Sequence, residues 1–219
     1  MVGMVGRRTP RSPSNVEDLP GWGALLTHWR TIVSHAAWKD SGDCPWWYGE
    51  RASVSQLAGA AWRLRGSWAI QEYAGTRGVE NEYGRIDLAM EAGPLRSVVE
   101  AKQIWPRLGS DSVATDAADA LAAAAAQLVE RRRSQIAGHD DYDHVAVVFV
   151  VPRGRPDDGS RQVGVERIID ALRTVPDALV VPAFPAWASE LTSPTTQLVY
   201  PGVALVAQLV LPRVRGAIR

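Results

Sequence analysis

A turn signal between two apolar runs constrains the fold of this chain more than any other feature. Gly93-Pro94 lies at the middle of residues 84–103, and apolar residues lie on both sides of it. This arrangement is typical of a β-hairpin. A turn centred on Gly93-Pro94 places Asp87 of the first strand opposite Glu100 of the second.

The two faces of this hairpin differ in chemistry, because side chains alternate along a strand. One face is predicted to carry Asp87, Ala89, Val98, Glu100 and Lys102, and the other Ile86, Leu88, Met90, Val99 and Ala101. Directly opposed residues have Cβ atoms about 4.5–5.5 Å apart. Two carboxylates at that distance repel each other unless a proton or a cation lies between them. With the ammonium of Lys102 at the same place, the pattern predicts a metal site.

An acid on one strand followed by Glu-x-Lys on the next resembles the signature of the PD-(D/E)XK nuclease superfamily. Asp87 matches the first acid, and Glu100-Ala101-Lys102 matches the second acid, the spacer and the lysine. Many members add a glutamate from the helix before the sheet, and Glu50 is where that helix is predicted to begin. Glu72 is the rival for this accessory acid. The resemblance covers about residues 45–185.

The resemblance implies an α/β fold, with a restriction-endonuclease-like αβββαβ core and a mixed central sheet flanked by helices. It implies a metal-dependent nuclease that hydrolyses phosphodiester bonds in DNA, in a restriction or phage-defence setting. Asp87, Glu100 and the Ala101 carbonyl would hold Mg²⁺ or Mn²⁺, and Glu50 would complete the catalytic set. Lys102 would orient or deprotonate the attacking water, or stabilise the developing charge. Gln103 points to the opposite face and has a supporting role.

Some expected features are absent or open to two interpretations. In some branches of the superfamily the helix after the hairpin carries Gln and, four residues later, Tyr; here Gln127 is followed by Arg131. Trp46 and Trp47 either pack helices onto the sheet or stack on nucleotide bases. Arg131, Arg132 and Arg133 form either a solvated helix end or a phosphate-contacting patch.

Composition sets limits on the class of protein. The 219 residues carry a formal net charge of zero, which argues against indiscriminate coating of nucleic acid but permits a local basic cleft. The single cysteine excludes internal disulfides and suits a reducing cytoplasm. With no long apolar run and no secretory signal at the N-terminus, we expect a cytoplasmic protein without a membrane span.

The chain is predicted to form one domain over residues 19–219, preceded by a disordered basic tail over 1–18. The nuclease-like core covers about 45–185, and 186–219 is a β-rich extension. Periodicity predicts helices at 21–39, 50–65, 112–133 and 165–172, and strands at 68–73, 145–151 and 178–181 besides the hairpin. The run 198–211 either extends the sheet or forms a homodimer surface. Residues 145–151 should be a central strand, buried on both faces.

Two other functions compete with the nuclease. The first is a catalytically silent subunit on the same fold that binds DNA or acts as a protein-interaction scaffold. The second is an α/β interaction protein in which Asp87, Glu100 and Lys102 form only an ion-pair ladder between strands, which is an ordinary feature of sheets. Divalent-metal binding separates these alternatives, because an ion-pair ladder has no need of a cation.

Overall fold

The computed structural model describes residues 19, 21–77, 82–133, 141–156 and 161–211, and the side chains of 74–77, 82–84 and 131–133 lie outside that description. The tail predicted over 1–18 also lies outside the described residues. The helices are α1 Trp22–Val33, α2 Ala36–Ser41, α3 Glu50–Trp62, α4 Val113–Arg133 and α5 Arg161–Leu172, with short 3₁₀ turns at Pro45–Trp47 and Ala186–Glu190. The strands are β1 Trp68–Arg77, β2 Glu82–Ala92, β3 Leu95–Ile104, β4 Asp143–Val150, β5 Leu179–Ala183 and β6 Val203–Leu211.

The strands form one mixed sheet in the order β1-β2-β3-β4-β6-β5. β3 and β4 are parallel, and the other neighbouring pairs are antiparallel. A parallel pair needs a long crossover, and α4 provides it between β3 and β4. The predicted α/β class with a mixed, helix-flanked sheet is therefore confirmed.

Each face of the sheet has its own apolar core. Trp22, Trp29 and Leu57 of α1 and α3 pack on one face, which we call the α3 face. Leu121 and Leu128 of α4 and Ile168 of α5 pack on the other, which we call the α4 face. β4 is buried along its whole length. This confirms the central strand predicted from its uninterrupted run of β-branched residues.

The C-terminal strand lies inside the sheet, between β4 and β5. Both edges of β6 are hydrogen-bonded to these neighbours, so the run 198–211 extends the sheet. β6 is therefore not an edge strand on which a second copy of the chain could pair. Within the segment predicted as a β-rich extension, Val203–Leu211 is thus a strand of the main sheet. Gly202 permits the tight entry to β6, because a Cβ there would lie 2.5 Å from the carbonyl oxygen of Ala183.

The helix predicted over 21–39 is two helices. α1 ends at Val33, and His35 adopts an extended conformation whose side-chain Nδ1 accepts a hydrogen bond from the Ala37 N–H. This side chain caps a new helix, and a polar cap is a signal that hydrophobic periodicity does not contain. None of the helices within the described ranges has the length and apolar character needed to cross a membrane.

Candidate functional site

The hairpin has the predicted register. Pairing of β2 with β3 runs from Ala92↔Leu95 to Leu88↔Val99, which centres the turn on Gly93-Pro94. Asp87 is the next residue of β2 beyond this paired stretch. Its carboxylate oxygen Oδ2 accepts a hydrogen bond from the backbone N–H of Ala101 at 2.7 Å. A side chain thus occupies the position of a backbone acceptor, and this fixes the Asp87 carboxylate beside β3.

The backbone is distorted where Asp87 faces β1. Gln71↔Leu88 and Tyr73↔Ile86 flank this point, and Glu72 between them has a left-handed φ of 51°. For a residue other than glycine, that conformation costs roughly 1–2 kcal/mol. Such strain is found preferentially at functional sites.

The distortion changes which face the neighbouring side chains reach. Leu88 and Met90 pack on the α3 face, as strict alternation requires, but Ile86 packs on the α4 face. The prediction that Ile86 shares a face with Leu88 and Met90 is therefore wrong. The period of two holds only along a regular strand, and β2 is irregular next to Asp87.

Glu100 and Lys102 are alternate residues of β3. Glu100 is 3% exposed, and its Oε1 lies 3.5 Å from the Lys102 Nζ, which is a partly exposed group. The same Nζ donates a hydrogen bond of 3.2 Å to Oε1 of Gln127 on α4. Sequence reasoning noted Gln127 only because no tyrosine follows it. The position of Gln127 on the side of α4 that faces β3 is the signal from which its contact with Lys102 could have been predicted.

Lysine is rare in this chain, since only Lys39 and Lys102 are lysines among its 24 basic residues. Lys39 forms a surface ion pair with Glu190 at 3.2 Å. Of the two lysines, Lys102 is the one whose partner carboxylate, that of Glu100, is buried.

Glu50 is the first residue of α3, and its carboxyl is part of the same electrostatic cluster. Burial raises the pKa of Glu50, and the negative charge of Asp87 raises it further. The charge of Lys102 and a backbone hydrogen bond from Gln103 oppose that rise in pKa. The charges of Asp87 and Lys102, and also that of Glu72, therefore act on the Glu50 carboxyl.

Glu72, the rival accessory acid, has different partners. Its Oε1 lies 3.3 Å from Nε of Arg51, and its Oε2 lies 3.4 Å from a guanidinium nitrogen of Arg85. Both arginine side chains are exposed to solvent. Glu72 is therefore held at the surface by cations, and Glu50 is the better placed of the two acids.

Gln103 ties the start of α3 to β3. Its Oε1 accepts a hydrogen bond from the hydroxyl of Ser53 at 2.7 Å, and its Nε2 donates to the carbonyl of Trp46 at 3.1 Å. The side chain is buried on the α3 face, opposite to Lys102, as the strand alternation predicted. These two bonds hold Glu50 at the end of β3.

The two tryptophans before α3 differ in exposure. Trp46 is fully buried and donates from Nε1 to the carbonyl of Tyr200 at 3.2 Å. Its ring is closed off from any nucleotide, which corrects the prediction of a nucleic-acid contact at Trp46. Trp47 packs against the same core with part of its surface accessible. Arg131, Arg132 and Arg133 form the last turn of α4, and their side chains lie outside the description.

Three carboxyl groups lie near one ammonium in this cluster. Glu50, Asp87 and Glu100 carry the carboxyl groups and Lys102 the ammonium, and the charge of Glu72 also acts on Glu50. Crowded carboxylates repel one another unless a cation or a proton lies between them.

The donor set suits a hard metal ion. Within the part of the chain that the structure describes, no group of three or more His, Cys, Asp or Glu side chains is arranged to hold a metal. Mg²⁺, however, binds through one or two carboxylates and keeps several waters, and oxygen ligands suit Mg²⁺ and Mn²⁺. Asp87, Glu100 and the Ala101 carbonyl are such a set, so the residues present fit the predicted ion.

Comparison of the chain with protein-family models, with curated proteins and with solved structures finds no match.

Proposed function

We propose that this protein is a metal-dependent nuclease that hydrolyses phosphodiester bonds in DNA, with a restriction-endonuclease-like core. The observation that carries the proposal is the proximity of the Glu50, Asp87 and Glu100 carboxyl groups to the Lys102 ammonium. The succession α3, β1, β2–β3 hairpin, α4 and β4, with β3 parallel to β4, agrees with the core that the resemblance implies. A restriction or phage-defence role is the setting that we propose.

Each residue has a role in this proposal. Asp87, Glu100 and the Ala101 carbonyl would hold Mg²⁺ or Mn²⁺. The ion would supply neutralisation of phosphate charge and a more acidic water. Lys102 would orient or deprotonate the attacking water, or stabilise the developing charge, and Gln127 orients the Lys102 ammonium by accepting one of its hydrogens. Glu50 adds a third carboxyl whose pKa is raised by burial, which suits a group that exchanges protons with water.

A second function is favoured by one specific observation. In the described residues the Lys102 ammonium already contacts Glu100 and Gln127, and no set of three ligating side chains is formed. A silent DNA-binding or scaffolding subunit on the same fold would have such an internally paired lysine. Metal binding distinguishes the two functions, because a silent subunit needs no ion.

Cleavage assays test the proposal directly. Supercoiled, linear and single-stranded DNA should be incubated with Mg²⁺, with Mn²⁺ and with a chelator. The nuclease predicts products only with a divalent ion and only when Lys102 is present. Absence of cleavage on all three substrates, together with absence of Mn²⁺ binding, would favour the silent subunit.

A further inference from the structure

A groove of about 530 Å³ lies just beyond the C-terminal ends of β3 and β4. Its lining contains three arginines, Arg107, Arg153 and Arg155, together with Leu108, Gly154 and Leu198. We call it the arginine groove. None of the residues proposed for catalysis or metal binding belongs to its lining, so its chemistry needs a separate explanation.

The backbone around the arginine groove is held by reciprocal hydrogen bonds. The Leu108 N–H donates to the Arg153 carbonyl at 2.9 Å, and the Arg153 N–H donates to the Pro106 carbonyl at 2.9 Å. Gly154 and Val199 exchange N–H to carbonyl bonds of 3.0 and 2.9 Å. Three chain segments are thereby joined into one frame, so the arginine side chains start from fixed positions.

The groove brings like charges together. Arg107 and Arg153 face each other across a parallel β-bridge, an arrangement in which like charges repel. In the described portion of the chain, neither forms an ion pair with an acidic side chain. Two such guanidiniums at the rim of a polar groove are suited to an anion, because arginine binds phosphate through two parallel hydrogen bonds.

The position of the groove points to a polyanion. Arg107 follows Lys102 by five residues along β3 and its extension, which is at most about 17 Å. A DNA strand in a duplex presents a phosphate about every 3.4 Å along the helix axis. We propose that Arg107 and Arg153 bind backbone phosphates of a DNA strand a few nucleotides from the phosphate at the candidate site. The choice of DNA as the polyanion rests on the proposed function.

A direct test measures DNA binding without catalysis. A fluorescein-labelled duplex of about 30 base pairs is titrated with the full chain in a chelator, and anisotropy is followed over a range of salt concentrations. Loss of two phosphate contacts in the double variant Arg107→Ala/Arg153→Ala should lower affinity about a hundredfold near 50 mM salt. It should also reduce the slope of log affinity against log salt by about two.

The matched control removes the same charge elsewhere. Arg63→Ala/Arg173→Ala changes two exposed arginines after α3 and after α5, and should leave affinity and slope close to native. Arg107→Lys/Arg153→Lys keeps the charge and should recover most of the slope, and circular dichroism verifies that each variant is folded. Native-like affinity and slope in the alanine variant would refute the proposal, as would absence of DNA binding by the native chain.

Two further outcomes separate this inference from the proposed function. If the alanine variant loses binding of pyrophosphate but not of DNA, the groove is a small-anion site and the inference is wrong. If DNA binding depends on Arg107 and Arg153 but no metal-dependent cleavage occurs, the inference holds and the nuclease proposal fails. The chelator keeps the binding measurement independent of the metal.

Discussion

The two ends of the β2–β3 hairpin both carry charged side chains, but they differ in how these side chains are paired and in the regularity of the backbone. At the turn end, Glu91 pairs with Arg96 in register, and their side chains form an ion pair of 3.1 Å. The Tyr142 hydroxyl donates to Glu91 at 3.0 Å, and the Arg96 guanidinium lies 5.5 Å from the Tyr142 ring centroid. At the open end, Asp87 lies beyond the regular pairing, and Lys102 is the ammonium among three carboxylates.

This difference shows what an ordinary ion-pair ladder looks like in this molecule. The turn end has one close ion pair, regular backbone pairing and the ring of Tyr142 beside the Arg96 guanidinium. Burial and the hydrogen bond to Glu91 raise the pKa of Tyr142 to about 12, so the tyrosine stays neutral and holds its proton for Glu91. The open end has three carboxyl groups near one ammonium, and a left-handed residue on the neighbouring strand. It is the turn end, rather than the open end, that has the properties of a structural ladder.

The largest expected effect comes from removing the ammonium at the open end. Lys102→Ala should lower metal-dependent DNA cleavage by about a thousandfold or more, because proton transfer and stabilisation of developing charge are both lost. Because the variant leaves the buried carboxylate of Glu100 without its ion-pair partner, circular dichroism verifies that it is folded before rates are compared. The measurement is the initial cleavage rate of supercoiled plasmid.

Lys39→Ala is the matched control, because it removes the other lysine of the chain from a surface ion pair. It should retain native activity. The activity of Lys102→Arg distinguishes the two roles of the lysine. If the variant is active, the reaction needs only a positive charge at this position; if it is inactive, the reaction needs a group that can lose its proton. Native turnover in Lys102→Ala would remove lysine from the catalytic assignment.

The second effect concerns the cation, and it compares the two ends of the hairpin directly. Asp87→Asn should weaken Mn²⁺ binding by about a hundredfold, since loss of a ligand costs at least as much as loss of an outer-shell partner. Glu91→Gln, the same kind of change at the turn end, should leave Mn²⁺ affinity unchanged. Isothermal titration calorimetry measures both. Equal affinities in the two variants would mean that the open end is also a ladder.

The third effect concerns the anchor that holds α3 at the open end. Gln103→Leu leaves the Ser53 hydroxyl and the Trp46 carbonyl without their buried partner, which should cost about 1–3 kcal/mol in the free energy of unfolding. Gln71→Leu is the control, because Gln71 accepts a similar bond from Ser55 on an exposed surface. Urea denaturation should show little change for the control. Similar losses in both variants would contradict the anchoring role.

The sequence predicted the open end better than the backbone around it. The Gly93-Pro94 turn determined the register, because a turn and the period of two leave little freedom in a hairpin. Face assignment was wrong at Ile86, because alternation breaks next to Asp87, where pairing with both neighbouring strands lapses, and no local pattern in β2 predicts this. Burial of Trp46 depends on Tyr200, which is 154 residues away.

Longer-range features were the least predictable. The run 198–211 had a clear strand pattern, but its place between β4 and β5 depends on which sheet edge remains for it after β4 has paired with β3. Periodicity identifies a buried strand and not its neighbours. The contact of Lys102 with Gln127 likewise depends on how α4 lies across β3.

The smallest effect is a pH dependence at Glu50. Burial raises the pKa of the Glu50 carboxyl in the folded protein above its value in the unfolded chain. The stability that the protonated carboxyl contributes is fully present below the pKa of the unfolded chain. It is lost as pH rises through the pKa of the folded protein. Glu50→Gln should therefore match the native protein below about pH 4 and become more stable at neutral pH in a chelator. Thermal unfolding at several pH values measures this.

A divalent cation should reverse the difference. If Mn²⁺ occupies the open end, the ionised Glu50 carboxylate gains a nearby positive charge, and its pKa falls. The native protein should then gain more stability from Mn²⁺ than Glu50→Gln does, at neutral pH and not in acid. A stability difference that is the same at every pH, or that Mn²⁺ leaves unchanged, would place Glu50 outside the metal cluster and reduce its role to favouring the start of α3 through the helix dipole.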